Sequence, residues 1–130
     1  QSLLFEIKET AAVSNLASTV RFMRALHADG CRFALDDFGS GLSSFGYLKA
    51  LPVDFLKIDG SFVRDVLDDP LDCAMIEAIN SLGHVLGIRT IAELVENTGT
   101  LARLRELGTD YAQGYGIHRP FPMAFHSTSS

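Results

Sequence analysis

Hydrophobic positions in this chain recur with two periods, and the periods alternate along it. Short apolar runs suited to strands are Leu3–Ile7, Arg32–Asp36, Asp54–Ile58, Ile88–Glu93 and Asp110–Tyr115. Between them apolar residues return every three or four positions, as helices require. The first such stripe is Val13, Leu16, Val20, Met23 and Leu26; the second is Leu71, Met75, Ile79, Leu82 and Leu86; the third is Leu101, Leu104 and Leu107. Brief strands alternating with amphipathic helices predict βα units around a parallel sheet.

A sub-pattern repeats within this alternation. HADGCRFALDD, HVLGIRTIAEL and RELGTDYAQGY each pass from a helix end through a glycine into a strand that finishes on a polar residue. Gly30, Gly87 and Gly108 suit the left-handed position that closes a helix. His27 and His84 stand where a helix C-terminus favours positive charge, and they read as helix-end residues without chemistry. Because strand side chains alternate, Glu6 shares a face with Leu4, Asp36 with Ala34, Lys57 with Phe55, Glu93 with Ile91 and Gln113 with Tyr111. In a parallel βα barrel the C-terminal strand ends form one rim, where chemistry gathers. One carboxylate at a strand end is a weak signal. Polar ends on five successive strands exceed what solvated loops explain.

The run ALDDFGSG (Ala34–Gly41) sharpens the point. Alternation sends Asp36 and Asp37 to opposite faces of a continuing strand, so their convergence requires the strand to end there, with Gly39 and Gly41 permitting the turn. Taken alone, DDFG reads equally well as a turn and helix cap. Carboxylates a few ångströms apart repel, and one pKa rises unless a cation neutralises them. A hard divalent ion, Mg²⁺ or Mn²⁺, is the natural partner for oxygen ligands. Glu6, Asp36, Asp37 and Glu93 together could hold two ions roughly 3.5–4 Å apart, a spacing suited to phosphodiester cleavage.

Composition narrows this picture without redirecting it. The 130 residues, 47% of them hydrophobic, suffice for one compact domain. A net charge of −5 argues against a general binder of nucleic-acid polymers, which carries a basic face, and suits a soluble cytoplasmic protein. No apolar run approaches the roughly 18 residues needed to span a bilayer, and the N-terminus lacks a signal-peptide pattern. Cys31 and Cys73 lack metal-ligand spacing and read as reduced, half-buried thiols. The closing HSTSS marks a frayed tail at 125–130.

With these residues assembled, the chain resembles the EAL-domain family of cyclic di-GMP phosphodiesterases. FEIKE (Phe5–Glu9) is similar to the family's E-x-T-E segment, with Lys8 in place of the usual threonine. DDFGSGLSS (Asp36–Ser44) resembles its D-D-F-G-T-G-x-S-S loop, and DFLKID (Asp54–Asp59) its K-I-D strand. AELVE (Ala92–Glu96) resembles A-E-G-V-E, with Leu94 replacing glycine. QGYGIHRPFP (Gln113–Pro122) is similar to the closing Q-G-Y segment, with Ile117 and His118 where the family more often has Phe-Ser. The motifs run from Glu6 to Pro120 in the family's order.

The resemblance implies a partial TIM-type (β/α) barrel of about five parallel strands with flanking helices, with the N-terminal strands missing. On this expectation residues 1–124 are the C-terminal portion of an EAL domain. It implies that Glu6 binds one metal ion, Asp36 bridges both, and Asp37 and Glu93 hold the second, with Glu93 also counted as catalytic. Lys57 would orient the attacking water, and Gln113 would support the site through hydrogen bonds. Glu9 would prop the loop after the paired aspartates, about Gly39 to Ser44, which in the family reaches a dimer contact. Asp59 and Glu96 would contact substrate or stand behind the ligands. The implied reaction is two-metal hydrolysis of cyclic di-GMP to linear pGpG.

The family's Glu-Ala-Leu strand and its asparagine ligand are absent from these residues, and a complete barrel needs about 250 residues. The chain therefore reads as a truncated domain, inactive or nearly so by itself, with an open sheet edge available for homodimer formation. The parent protein could be membrane-anchored through its other domains. The alternative reading is a degenerate EAL-like module that binds cyclic di-GMP or a protein without turnover. A different metal-dependent barrel enzyme, aldolase- or enolase-like, would also use carboxylates and a lysine at strand ends.

Overall fold

In the computed structural model, residues 3–39, 45–114 and 121–122 are described. Residues 40–44 of the predicted loop, Tyr115, Ile117, His118 and the 125–130 tail lie outside them. The elements in chain order are β1 (Leu4–Lys8), α1 (Glu9–Ser14), α2 (Leu16–Ala28), β2 (Arg32–Phe38), a 3-10 helix (Gly46–Ala50) and β3 (Phe55–Ile58). There follow α3 (Gly60–Arg64), α4 (Pro70–Leu86), β4 (Arg89–Val95), α5 (Thr98–Glu106), β5 (Tyr111–Gly114) and β6 (Phe121–Pro122).

The sheet order is β1-β2-β3-β4-β5-β6. The first five strands pair in parallel, as the βα alternation predicts, and β6 is a short antiparallel addition that the sequence did not announce. Among the described residues the sheet stays open, with β1 at one edge and β6 at the other. This is the partial barrel expected.

The two faces of the sheet differ in chemistry. Phe33, Leu35, Leu56, Ile58 and Ala92 alternate onto the helix-facing side and are fully buried there, with Met23, Ile76, Ile79 and Leu104 contributed by the helices. Burial of each larger apolar side chain contributes about 1.5–3 kcal/mol, so this layer holds the sheet to its helices. Residues in register on the other face include Glu6 beside Ala34, Lys8 beside Asp36 and Lys57 beside Ile91. That face carries the charges.

Helix ends follow their local chemistry. Asp69 caps α4 by accepting from the Leu71 amide at 2.9 Å, and Pro70 takes the first turn, where no amide partner is needed. Asn97 caps α5 by accepting from Thr100 N–H at 2.8 Å. Gly30, Gly87 and Gly108 all take positive φ after helices, as expected. Two positions of the apolar stripes depart from expectation. Val13 and Leu71 are exposed, and each sits near a helix end, in the last turn of α1 and the first turn of α4.

Candidate functional site

The paired aspartates converge by a different route from the one expected. β2 does not end at Asp36 but continues to Phe38, and its register with β3 shifts between Leu35 and Phe38. Asp37 itself takes φ 54, a left-handed conformation that turns its side chain back toward that of Asp36. The Asp37 amide donates to Asp36 Oδ1 at 3.0 Å, closing the bend locally. Gly39 has a separate task. At φ 98 it sits where a Cβ would come 2.8 Å from Phe62 Cε2, so only glycine lets the chain leave β2 over α3.

β4 repeats this device. Its register with β5 shifts between Ala92 and Val95, and Leu94 takes φ 61. The bulge brings Glu93 toward the aspartates: single carboxylate oxygens of Asp36, Asp37 and Glu93 all lie within 4.8 Å of one another. Three half-buried oxygen donors from two strands are the kind of set a hard divalent cation takes.

Glu6 does not join this trio directly. Lys57 stands between, its Nζ 3.0 Å from Glu6 Oε2 and 3.1 Å from Glu93 Oε2. Lys57 is 5% exposed. Burial works against its charge, but hydrogen bonds to Glu6 and Glu93 outweigh that, and its pKa lies above the ordinary lysine value. Glu93 is pushed above the ordinary carboxyl range, first by burial and also by Asp36, against the opposing pull of Lys57. A cation added beside Asp36 and Glu93 would relieve that cost.

Glu9 begins α1 and is buried. Its Oε1 accepts from the Gly39 amide at 3.0 Å, and its Oε2 accepts from the Tyr47 hydroxyl. It therefore ties down both flanks of residues 40–44. Gln113 follows the Ala92–Ala112 register pair on β5, half-buried at the same end of the sheet. Asp59 caps α3 through the Ser61 amide at 3.2 Å. Asp37, Asp59, Ser61, Arg64, Glu93, Leu94 and Glu96 line an open cleft of about 240 Å³. Asp59 and Glu96 thus stand on the wall beside the trio and not within it.

Lys8 is the residue that sequence reading passed over as a mere departure. Its Nζ lies 2.9 Å from Asp37 Oδ2 and 3.8 Å from Asp36 Oδ2. The hydrogen bond to Asp37, then the charges of Asp37 and Asp36, raise its pKa. Its spacing of two from Glu6 was the available signal, since residues two apart share a strand face.

At the opposite end of the strands, Asp54 and Asp110 were also missed. Asp54 accepts from the Phe33 amide at 2.9 Å and faces His27 at 3.6 Å; Asp110 accepts from the Thr90 amide at 2.9 Å and faces His84 at 3.1 Å. These matched latches lock neighbouring strands in register and leave both histidines at helix ends, as expected.

Comparisons with known proteins bear on the family and the fold. The EAL-domain family profile matches residues 1–120. The cyclic di-GMP phosphodiesterase PdeB of Shewanella oneidensis is 48% identical over 124 residues, covering 95% of this chain and 14% of the relative. The PaMucR phosphodiesterase in its c-di-GMP complex superposes with a TM-score of 0.84 at 37% identity, over 92% of this chain and 49% of that one. The FimX EAL domain of Pseudomonas aeruginosa, bound to c-di-GMP, gives 0.82 at 34% identity, over 94% of this chain and 50% of that one. The chain thus spans about half the length of these solved chains and far less of PdeB. With the profile covering nearly every residue, the chain belongs to the EAL-domain family.

Proposed function

We propose that this chain forms part of the active site of a metal-dependent phosphodiesterase that hydrolyses cyclic di-GMP to linear pGpG. The observation that carries the reading is the convergence of Asp36, Asp37 and Glu93 beside a buried lysine. The names of PdeB and of the PaMucR complex supply the substrate.

Asp36, Asp37 and Glu93 would hold a divalent cation, Mg²⁺ or Mn²⁺, with Glu6 across Lys57 available to a second. Such ions, when bound, supply Lewis-acid activation and charge neutralisation for phosphodiester hydrolysis. Lys57 does the complementary work. It has three N–H donors, directs two at Glu6 and Glu93, and holds both carboxylates in place. The third donor is left for the attacking water or a phosphoryl oxygen, which makes Lys57 an orienting group and not a base. Glu9 fixes the path of the chain just beyond Asp37, and Gln113 supports the trio from β5. Asp59 and Glu96 shape the cleft wall where the dinucleotide would enter.

The same reading extends to assembly and location. β1 is a sheet edge bearing exposed Leu4 and Phe5, with exposed Leu3 just before it, a surface suited to pairing with a second copy or with further barrel strands. The free, half-buried thiols of Cys31 and Cys73 suit the reducing cytoplasm, and no helix among the described residues is long and apolar enough to cross a membrane.

The FimX EAL domain is about twice as long as the part matched here, so turnover is assigned to a closed barrel and the 130 residues alone should hydrolyse cyclic di-GMP little. The test is Mn²⁺-dependent release of pGpG, followed by chromatography, from a protein carrying these residues in a closed barrel. Asp36→Asn and Glu93→Gln should each abolish it. Turnover that survives both substitutions refutes the reading, and binding without turnover in the unsubstituted protein favours the signalling module instead.

A further inference from the structure

We propose that Lys8 is a tethered competitor for the divalent cation: its ammonium takes the carboxylates the ion needs, so this chain loads metal less readily than one with a neutral residue at that position. The inference rests on the reading of Asp36, Asp37 and Glu93 as metal ligands.

Lys8 ends β1 in direct register with Asp36, so the backbone itself delivers its side chain to the aspartate pair. Its ammonium lies 2.9 Å from Asp37 and 3.8 Å from Asp36, the two trio members that Lys57 does not contact in the ion pairs described. The division of labour is plain. Lys57 compensates Glu6 and Glu93 from the buried side, and Lys8 compensates Asp36 and Asp37 from the solvent side.

The two lysines differ in freedom. The side chain of Lys57 is 6% exposed, whereas that of Lys8 is 63% exposed. Lys8 can swing into water when an ion arrives, recovering rotamer entropy as it goes. It is a counter-ion that yields, not a plug. A surface ion pair of this kind contributes little to stability, so its consequence is read at the ion and not in the fold. A unit charge and a divalent ion sharing the same oxygens repel at close range, and that repulsion is weakened by salt.

The test is Mn²⁺ binding to the full chain without substrate, followed by the paramagnetic resonance signal of free Mn²⁺. Lys8→Met and Lys8→Thr should both bind about tenfold more tightly than the unsubstituted chain at low salt. The gap should narrow as salt is raised. Agreement between methionine and threonine shows that charge is responsible, not a hydroxyl ligand gained. Lys8→Gln replaces Lys8→Met if the apolar residue promotes association. Asp36→Asn in the Lys8→Met background should remove the added affinity. If the Lys8 variants stay within about twofold of the parent while Asp36→Asn weakens binding, this inference falls and the metal-site reading stands. If Asp36→Asn leaves binding unchanged, the site reading falls and takes the inference with it.

Discussion

Glu9→Ala is expected to destabilise the chain by about 2–5 kcal/mol, far more than its place in the first turn of a six-residue helix suggests. As a mere helix-end carboxylate, Glu9 would contribute about 0.3–1 kcal/mol through the helix dipole. The structure gives it a larger role. It is 5% exposed and accepts from the Gly39 amide and the Tyr47 hydroxyl, one on each side of residues 40–44. Removing the carboxylate strands the buried Gly39 amide, at about 1–3 kcal/mol, and the half-buried Tyr47 hydroxyl, at about 1–2 kcal/mol because it is only partly shielded from water. Tyr47→Phe removes one of the same bonds from the other side, and a hydrogen bond to a charged acceptor is worth about 1.5–3 kcal/mol.

The assay is a double-mutant cycle of Glu9→Ala and Tyr47→Phe by urea unfolding, with a coupling of about 1.5–3 kcal/mol expected between the sites. A Glu9→Ala loss under about 1 kcal/mol, or a coupling near zero, refutes the strap and returns Glu9 to an ordinary helix-end role. Amide exchange at Gly39 gives an independent reading, since that N–H should lose protection in Glu9→Ala.

Two further expectations concern the backbone and alkaline pH. At Leu94, where φ is 61, Leu94→Gly should be about 1 kcal/mol more stable than Leu94→Ala by thermal or urea unfolding, the reverse of the usual order in a strand; an alanine variant equal to or above glycine would show that the left-handed bend is not held there. Tyr47 is held above its ordinary 10.0 by burial and then by Glu9, and Lys57 above its ordinary 10.5 by Glu6 and Glu93 against burial. The folded chain therefore keeps protons that the unfolded chain releases, so stability is intact below about pH 10 and falls above it. Tyr47→Phe and Lys57→Met should each flatten that decline in Tm, and a Tm level from about pH 9 to 11 would contradict both shifts.

What the sequence made legible was whatever depends on period. Alternation alone put Glu6, Asp36, Lys57, Glu93 and Gln113 on one face, and that face carries the charges in the folded chain. What it concealed depends on where the period breaks. No rule of composition marks a leucine at 94 as left-handed, since bulky residues are disfavoured at positive φ, and Asp37 is of a type that tolerates that conformation without requiring it. The break becomes visible once the recurring segments are laid side by side. His27, Gly30, Arg32, Asp36 and Asp37 correspond to His84, Gly87, Arg89, Glu93 and Leu94. Both copies shift register at the same point, and both take positive φ at the last of these positions. The bulge is therefore a property of the βα unit and not of the carboxylates it presents. The first copy fills both bulge positions with aspartate, and the second fills one with glutamate and the other with leucine. That single difference is why the two strands bring together three carboxylates and not four, and why Leu94 comes to line the cleft beside Glu93.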